Sequence, residues 1–259
     1  MREAVLFLCH FVTDEMLVRY EKLNKELASH CDVFWALQCE DDVALKELQR
    51  RNIRVFGFSL DDLNCLGYSP ISETIVPGSV HFVPAYFFKC YPEYDYYWLI
   101  EYDVIFTGDW MNLIGAFKQD NTDFLASHIE QYCDANKDWP WWKSLSFGVK
   151  DEIPIAKALK SFTPICRFSN QALRFLDGFL QDDGNKGHFE VLVVTVLKHF
   201  GYTIKDLGGT GEFTPQELRN HFYWQETDKD SSIRWRPVYL QEEIERLDVK
   251  DKLYHPIKG

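Results

Sequence analysis

A chain of 259 residues with 46% hydrophobic and 26% charged residues can bury one sizeable core, and no Pro/Gly/Ser-rich linker divides it, so a single domain over residues 1–259 is expected. The formal net charge of −12, with no basic cluster, argues against nucleic acid as a partner, because Lys and Arg neutralising phosphate supply most non-specific affinity. Seven scattered cysteines without a CxxC pair argue against a disulfide framework and a zinc site, and reduced thiols suggest the cytoplasm.

The N-terminal MREAVLFLCHF has too short an apolar run to cross a membrane, and no transmembrane segment or signal peptide is read there. Residues 4–11 form a strand pattern. Thr13, followed by Asp14 and Glu15, predicts a helix N-cap with acids in the first turn, and Leu17, Tyr20, Leu23 and Leu27 then share one face to about residue 29. A strand over 33–37, a helix opened by Asp42 and carrying Leu45 and Leu48, and a strand over 53–58 follow. This β-α-β-α-β order specifies a parallel sheet with right-handed crossovers, a nucleotide-binding half in many enzymes. Cys9-His10-Phe11 stands where a GxGxxG would be, so a dinucleotide enzyme is not expected. Residues 61–79, with Gly67, Pro70, Pro77 and Gly78, read as a loop at the carboxyl end of the third strand, where Asp62 is a candidate to grip a base or ribose.

A helix over about 80–91 leads into the stretch YYWLIEYDVIFTGDW, residues 96–110. Its apolar run stops at two carboxylates one residue apart, Glu101 and Asp103. An interior strand keeps carboxylates only where they meet water, a hydrogen bond or a metal. Glu-x-Asp at a strand end suits a divalent cation shared with substrate phosphates; alternatively it marks where the strand reaches the surface.

A helix opening at Asp109 or Trp110, a strand over 124–127 and a loop containing His128, Glu130, Asp134 and Asp138 come next. That loop ends in Trp139, Trp141 and Trp142, which either line a sugar-binding cleft or form a small hydrophobic plug. A short strand over 165–168 and a helix capped by Ser169 or Asn170 precede a turn at 182–187. The apolar helix of HFEVLVVTVLKHFGY carries Glu190 in its first turn, either complementing the helix dipole or acting as a general base. Residues 207–211 lack the Lys and spacing of a P-loop and read as a flexible loop. The remainder holds Trp224, Arg234, Trp235 and Arg236, a short acidic helix from about 241, and the closing LYHPIK.

In their order along the chain, EYD at 101–103, HFE at 188–190 and the terminal YHPIK resemble a nucleotide-sugar glycosyltransferase of the GT-A fold, distantly similar to the core-2/I-branching type and to bacterial and fungal relatives. The resemblance implies an α/β, Rossmann-like domain with a mostly parallel central sheet flanked by helices. It further implies a divalent cation, Mn2+ or Mg2+, on Asp103 and His255, with Glu190 as the base of an inverting transfer from a nucleotide sugar, UDP-sugar foremost, to a carbohydrate acceptor. Glu101 would lie behind the metal or on the ribose, with Cys9, His10, Phe11 and Asp62 around the nucleotide and Trp139, Trp141 and Trp142 beside the acceptor. Glu101 departs from the usual Asp-x-Asp. Some branching enzymes dispense with the metal, and Arg234, Arg236 and Lys258 are the basic side chains that would then face the diphosphate. Two other readings are a two-carboxylate glycosidase and a catalytically silent sugar- or nucleotide-binding protein of the same fold.

Overall fold

The computed structural model describes residues 1–39, 42–75, 78–148, 152–227 and 230–258. Pro77, read as part of a loop, lies outside the described residues. The alternating opening is present: β1 (Glu3–Leu8), α1 (Asp14–Leu27), β2 (Asp32–Gln38), α2 (Asp42–Arg50) and β3 (Val55–Phe58). Thr13 caps α1 by accepting from the Met16 amide, as its position before two acids predicts. Part of the 61–79 segment is helical: α3 (Leu60–Asn64) begins at a capping box in which Ser59 and Asp62 satisfy each other's backbone amides.

The chain continues through α4 (Phe82–Cys90), β4 (Tyr96–Glu101), β5 (Ile105–Phe106), α5 (Trp110–Ala116), β6 (Phe124–Gln131), β7 (Leu159–Ser169), α6 (Asn170–Phe179), α7 (Phe189–His199) and β8 (Ile204–Asp206). It closes with β9 (Tyr239–Leu240), α8 (Gln241–Leu247), β10 (Leu253–Tyr254) and β11 (Ile257–Lys258). Seven strands form one sheet in the order β3-β2-β1-β4-β7-β6-β8. All are parallel to their neighbours except β7, which runs against both β4 and β6. The α/β class with a mostly parallel central sheet is therefore as expected.

Helices cover both faces. Leu6, Ala36, Tyr97, Leu99 and Phe168 belong to the core formed with α4, α6 and α7; Val5, Phe7, Trp35, Trp98 and Ile100 belong to the core formed with α1 and α5. Among the described residues no helix is long and apolar enough to cross a membrane. All seven cysteines are free thiols.

Three stretches depart from the sequence reading. β6 runs on to Gln131, making His128 and Glu130 strand residues, and its pairing with β7 is interrupted by register shifts on either side of Ser127. β7 has 11 residues, where only 165–168 read as strand. Its Arg167 is fully buried because the guanidinium donates to the carbonyls of Phe117, Asp120 and Thr122 and stacks 4.1 Å from the Tyr96 ring centroid. The glycines at 208 and 209 are held, since their amides donate to the Asp206 carboxylate at 2.9 and 2.8 Å and Tyr223 donates to the same oxygen at 2.8 Å.

Register decides what meets at the carboxyl edge. In the parallel β1–β4 pair Leu8 stands opposite Glu101, so Cys9-His10-Phe11 and Tyr102-Asp103 leave the sheet side by side. The C-terminal segment returns to this edge: β10 pairs antiparallel with β5, and the Ile257 amide donates to the Asp103 carbonyl at 2.9 Å.

Candidate active site

Glu101 ends β4, and the turn closed by the Val104 amide on the Glu101 carbonyl at 3.0 Å presents Asp103 beside it. His255 arrives from the far end of the chain. One ligand atom each from Glu101, Asp103 and His255 lies within 4.8 Å of the others, a cluster of metal-ligand types found among the described residues. Nε2 of His255 is 3.5 Å from Asp103 Oδ1 and 3.8 Å from Glu101 Oε2, while Nδ1 lies 2.9 Å from the Arg234 carbonyl. A carbonyl can only accept, so Nδ1 carries the proton and Nε2 faces the carboxylates.

That arrangement fits a divalent cation. A histidine fixed through one ring nitrogen to a backbone carbonyl presents the other as a ligand, and the buried Asp103 Oδ1 has no hydrogen-bond partner of its own. Two carboxylate oxygens and an imidazole nitrogen are donors that such cations take. Burial lowers the His255 pKa, but the Asp103 carboxylate, with Glu101 behind it, outweighs this and holds it above the usual value. Burial pushes the Glu101 carboxyl up to about 7, against the lowering effect of His255 and with the help of Asp103.

Glu190 lies in the first turn of α7, whose N-cap His188 accepts from the Glu190 amide through Nδ1. Burial first, and the nearby Glu101 charge second, push its carboxyl up to about 8; a hydrogen bond from the Thr163 backbone and the Lys160 charge work the other way. Glu190 and Glu101 thus sense each other across the same acidic site. His188 is pushed down to about 4 by burial, so it is neutral at physiological pH, and Trp141 stacks on its ring at 4.2 Å.

The remaining candidates separate by position. Phe11 and His10 pack edge-on against Tyr102 at 4.9 and 5.8 Å, placing them at the site's rim. Cys9 is buried, its thiol donating to the Phe11 carbonyl at 3.0 Å, so it supports this turn. Asp62 is occupied by Ser59 and Tyr86, a helix-capping role that accounts for its carboxylate. Arg234 donates through Nε to the Pro237 carbonyl and stacks on Tyr239 at 3.8 Å, while Arg236 and Lys258 are exposed.

The three tryptophans do not form one platform. Trp142 is 5% exposed, packs with Ala158 and Val191, and donates its indole N–H to the Asn136 carbonyl at 2.8 Å. It belongs to a plug under the loop and offers no face to an acceptor. Trp139 is half-buried against it, and Trp141, 40% exposed, is the ring that meets solvent beside His188.

Two site residues were not legible in the sequence. Lys160, on β7, pairs with Glu130 at 3.2 Å and acts on Glu190; a lysine in what reads as a connecting segment gives no sign of this. Arg19, on α1, donates to the Tyr102 carbonyl at 2.8 Å, bracing the turn between the two acids. Its spacing from Glu15 signals only a helical ion pair.

The chain matches no known protein-family model and no curated protein. Solved structures that resemble it include inositol-1-phosphate CTP transferase from T. maritima, at 14% identity and TM-score 0.45 over 85% of this chain and 92% of that one. Mouse xyloside xylosyltransferase 1, in its apo form, resembles it at 12% identity and TM-score 0.46 over 80% and 84%. Mannosyltransferase PcManGT from Pyrobaculum calidifontis, in complex with GDP-Man and Mn2+, does so at 11% identity and TM-score 0.46 over 84% of this chain and 55% of its own. At this level no residue role passes from any of them to this chain.

Proposed function

We propose that residues 1–259 act as one domain, a glycosyltransferase that moves a sugar from a nucleotide-sugar donor, UDP-sugar foremost, to a hydroxyl of a carbohydrate acceptor with inversion. The observation that carries the proposal is the meeting of Glu101, Asp103 and His255 at the carboxyl edge of the sheet, with the partly buried Glu190 close enough to Glu101 for their charges to couple. A bound Mn2+ or Mg2+ on Asp103, His255 and Glu101 would supply positive charge to the diphosphate leaving group. As the acceptor's hydroxyl oxygen bonds to the anomeric carbon and the bond from that carbon to the diphosphate oxygen breaks, a Glu190 carboxylate oxygen takes the hydroxyl proton and the bonding electron pair leaves with the diphosphate. Lys160 favours the ionised form of Glu190, and Trp141 provides an apolar ring for the acceptor. In this reading His10 and Phe11 line the nucleotide side, and the exposed Arg236 and Lys258 are the further basic side chains for the diphosphate.

Calorimetry of UDP with Mn2+, with chelator, and with Asp103→Ala tests the donor site, and product anomeric configuration tests the chemistry. Binding that needs both the cation and Asp103, followed by transfer with inversion, is expected. UDP binding indifferent to chelator and to Asp103→Ala removes the metal role, and nucleotide binding without turnover makes the chain a silent binding protein.

A further inference from the structure

His128 lies where the register of β6 with β7 shifts, and its backbone is left-handed, with φ 50°. That conformation is unfavourable for a residue with a side chain and persists where surrounding contacts hold it. Here the amide donates to Tyr223 Oη at 3.0 Å, and Tyr223 donates in turn to Asp206. The ring is buried and fully specified. Nε2 lies 2.7 Å from the Ile233 carbonyl, which can only accept, so Nε2 carries the proton. Nδ1 must then accept, and Gln225 Nε2 lies 2.9 Å from it; the Gln225 amide is oriented independently, because its Oε1 accepts from the Thr210 amide at 3.2 Å. Two separate requirements give His128 the same tautomer.

The segment that His128 holds is the one that fixes His255. The His255 amide donates to the Ser232 carbonyl at 2.9 Å, the Arg234 amide donates to the His255 carbonyl at 3.1 Å, and His255 Nδ1 donates to the Arg234 carbonyl at 2.9 Å. Ile233 is buried between these two residues, and the Phe162 ring stands edge-on to both histidine rings, at 6.2 Å from His128 and 5.2 Å from His255. A histidine beside carboxylates has a competing arrangement, with its proton on the nitrogen that faces them. Nε2–H directed at Asp103 would take the lone pair that a cation needs. The Arg234 carbonyl prevents this only while it stays in place.

The geometry points to His128 as a positioning residue for the acidic cluster: by holding the Ile233 carbonyl it keeps the Arg234 carbonyl on His255 Nδ1, and so keeps the Nε2 lone pair of His255 toward Glu101 and Asp103. That role rests on the reading of Glu101, Asp103 and His255 as a cation site, whereas the tautomer itself is set without the ion.

Long-range proton–nitrogen correlation spectra of the metal-free full chain with nitrogen-labelled histidine, recorded at about pH 9, where imidazole is ordinarily neutral, read both tautomers. Signals are assigned by their loss in His128→Phe and His255→Gln. The parent should show Nε2–H at His128 and Nδ1–H at His255. His128→Phe keeps an aromatic ring without an N–H, so His255 should move to the Nε2–H form and Mn2+ affinity should fall about tenfold. His128→Gln, which returns an N–H to a side chain of similar reach, should recover both. The opposite tautomer at either histidine of the parent overturns the role of His128 without any variant having to fold; so does a parental His255 tautomer and Mn2+ affinity in His128→Phe. A parent with the expected tautomers, responsive to His128→Phe, that binds no Mn2+ overturns the cation reading and supports the positioning of His255.

Discussion

Nε2 of His255 lies 3.5 Å from the buried Oδ1 of Asp103, while the opposite ring nitrogen is held by the Arg234 carbonyl. The same segment is tied to the strand-end turn by the Ile257 amide on the Asp103 carbonyl. Backbone and side chain thus join the last residues of the chain to the end of β4, and a cation would be the third connection.

Mn2+ binding should therefore depend on both ends. His255→Ala and Asp103→Asn should each weaken Mn2+ binding at least about tenfold, with secondary structure retained by circular dichroism. Titration followed by the loss of the free Mn2+ paramagnetic resonance signal measures this directly. Unchanged affinity in both variants would mean that the cluster holds no metal.

Cation affinity should rise with pH. Glu101, pushed up to about 7, and His255, held above its usual value, carry protons that a metal must displace. Below those values each displaced proton weakens binding about tenfold per pH unit. Mn2+ affinity compared at about pH 6 and about pH 8 should differ by at least an order of magnitude in favour of the higher pH. A flat profile would show that these groups do not compete with the ion.

Glu190→Gln separates its chemical from its structural cost. The folded-state pKa is raised from 4.5 to about 8, so between these values the folded chain holds a proton that the unfolded chain has lost. Stability therefore falls as pH rises through this window, by on the order of 5 kcal/mol in the metal-free protein. Glutamine carries no such penalty. In denaturant melts the variant should match the parent near pH 4.5 and exceed it near pH 8.5, while losing transfer by about 10²–10⁴-fold and keeping UDP affinity. Equal pH dependence in the two proteins would place Glu190 in contact with solvent.

Trp142→Ala should destabilise the chain by about 3–5 kcal/mol in urea, the cost of emptying a buried aromatic site. Trp141→Ala should cost well under half of that and weaken acceptor binding, since its ring lies half in solvent on His188. The reverse order of stabilities would exchange their roles.

Locally determined features were legible in the sequence. Thr13 and Ser169 cap helices, the period of Leu17, Tyr20, Leu23 and Leu27 buries one face of α1, and the apolar run into Glu101 ends a parallel strand at the sheet's carboxyl edge. Capping and periodicity act over a few residues, so the chain carries their whole cause within each window.

Features whose cause lies far away were not. The strand β7 contains Lys160, Ser161, Thr163 and Arg167, polar residues that mask its pattern. They are tolerated because Glu130 meets Lys160, the Glu190 carbonyl accepts from Ser161, and three carbonyls from 117–122 accept from Arg167. Trp142 and Trp141 are near neighbours with similar local sequence, yet one faces Val191 and the other solvent. The amino-acid sequence by itself determined the alternating α/β opening, the helix ends and the acids at the end of β4. Tertiary structure alone decided the direction of β7, the burial of Trp142 and the meeting of His255 with Asp103, because a buried polar group is stable only beside partners that folding brings from elsewhere in the chain.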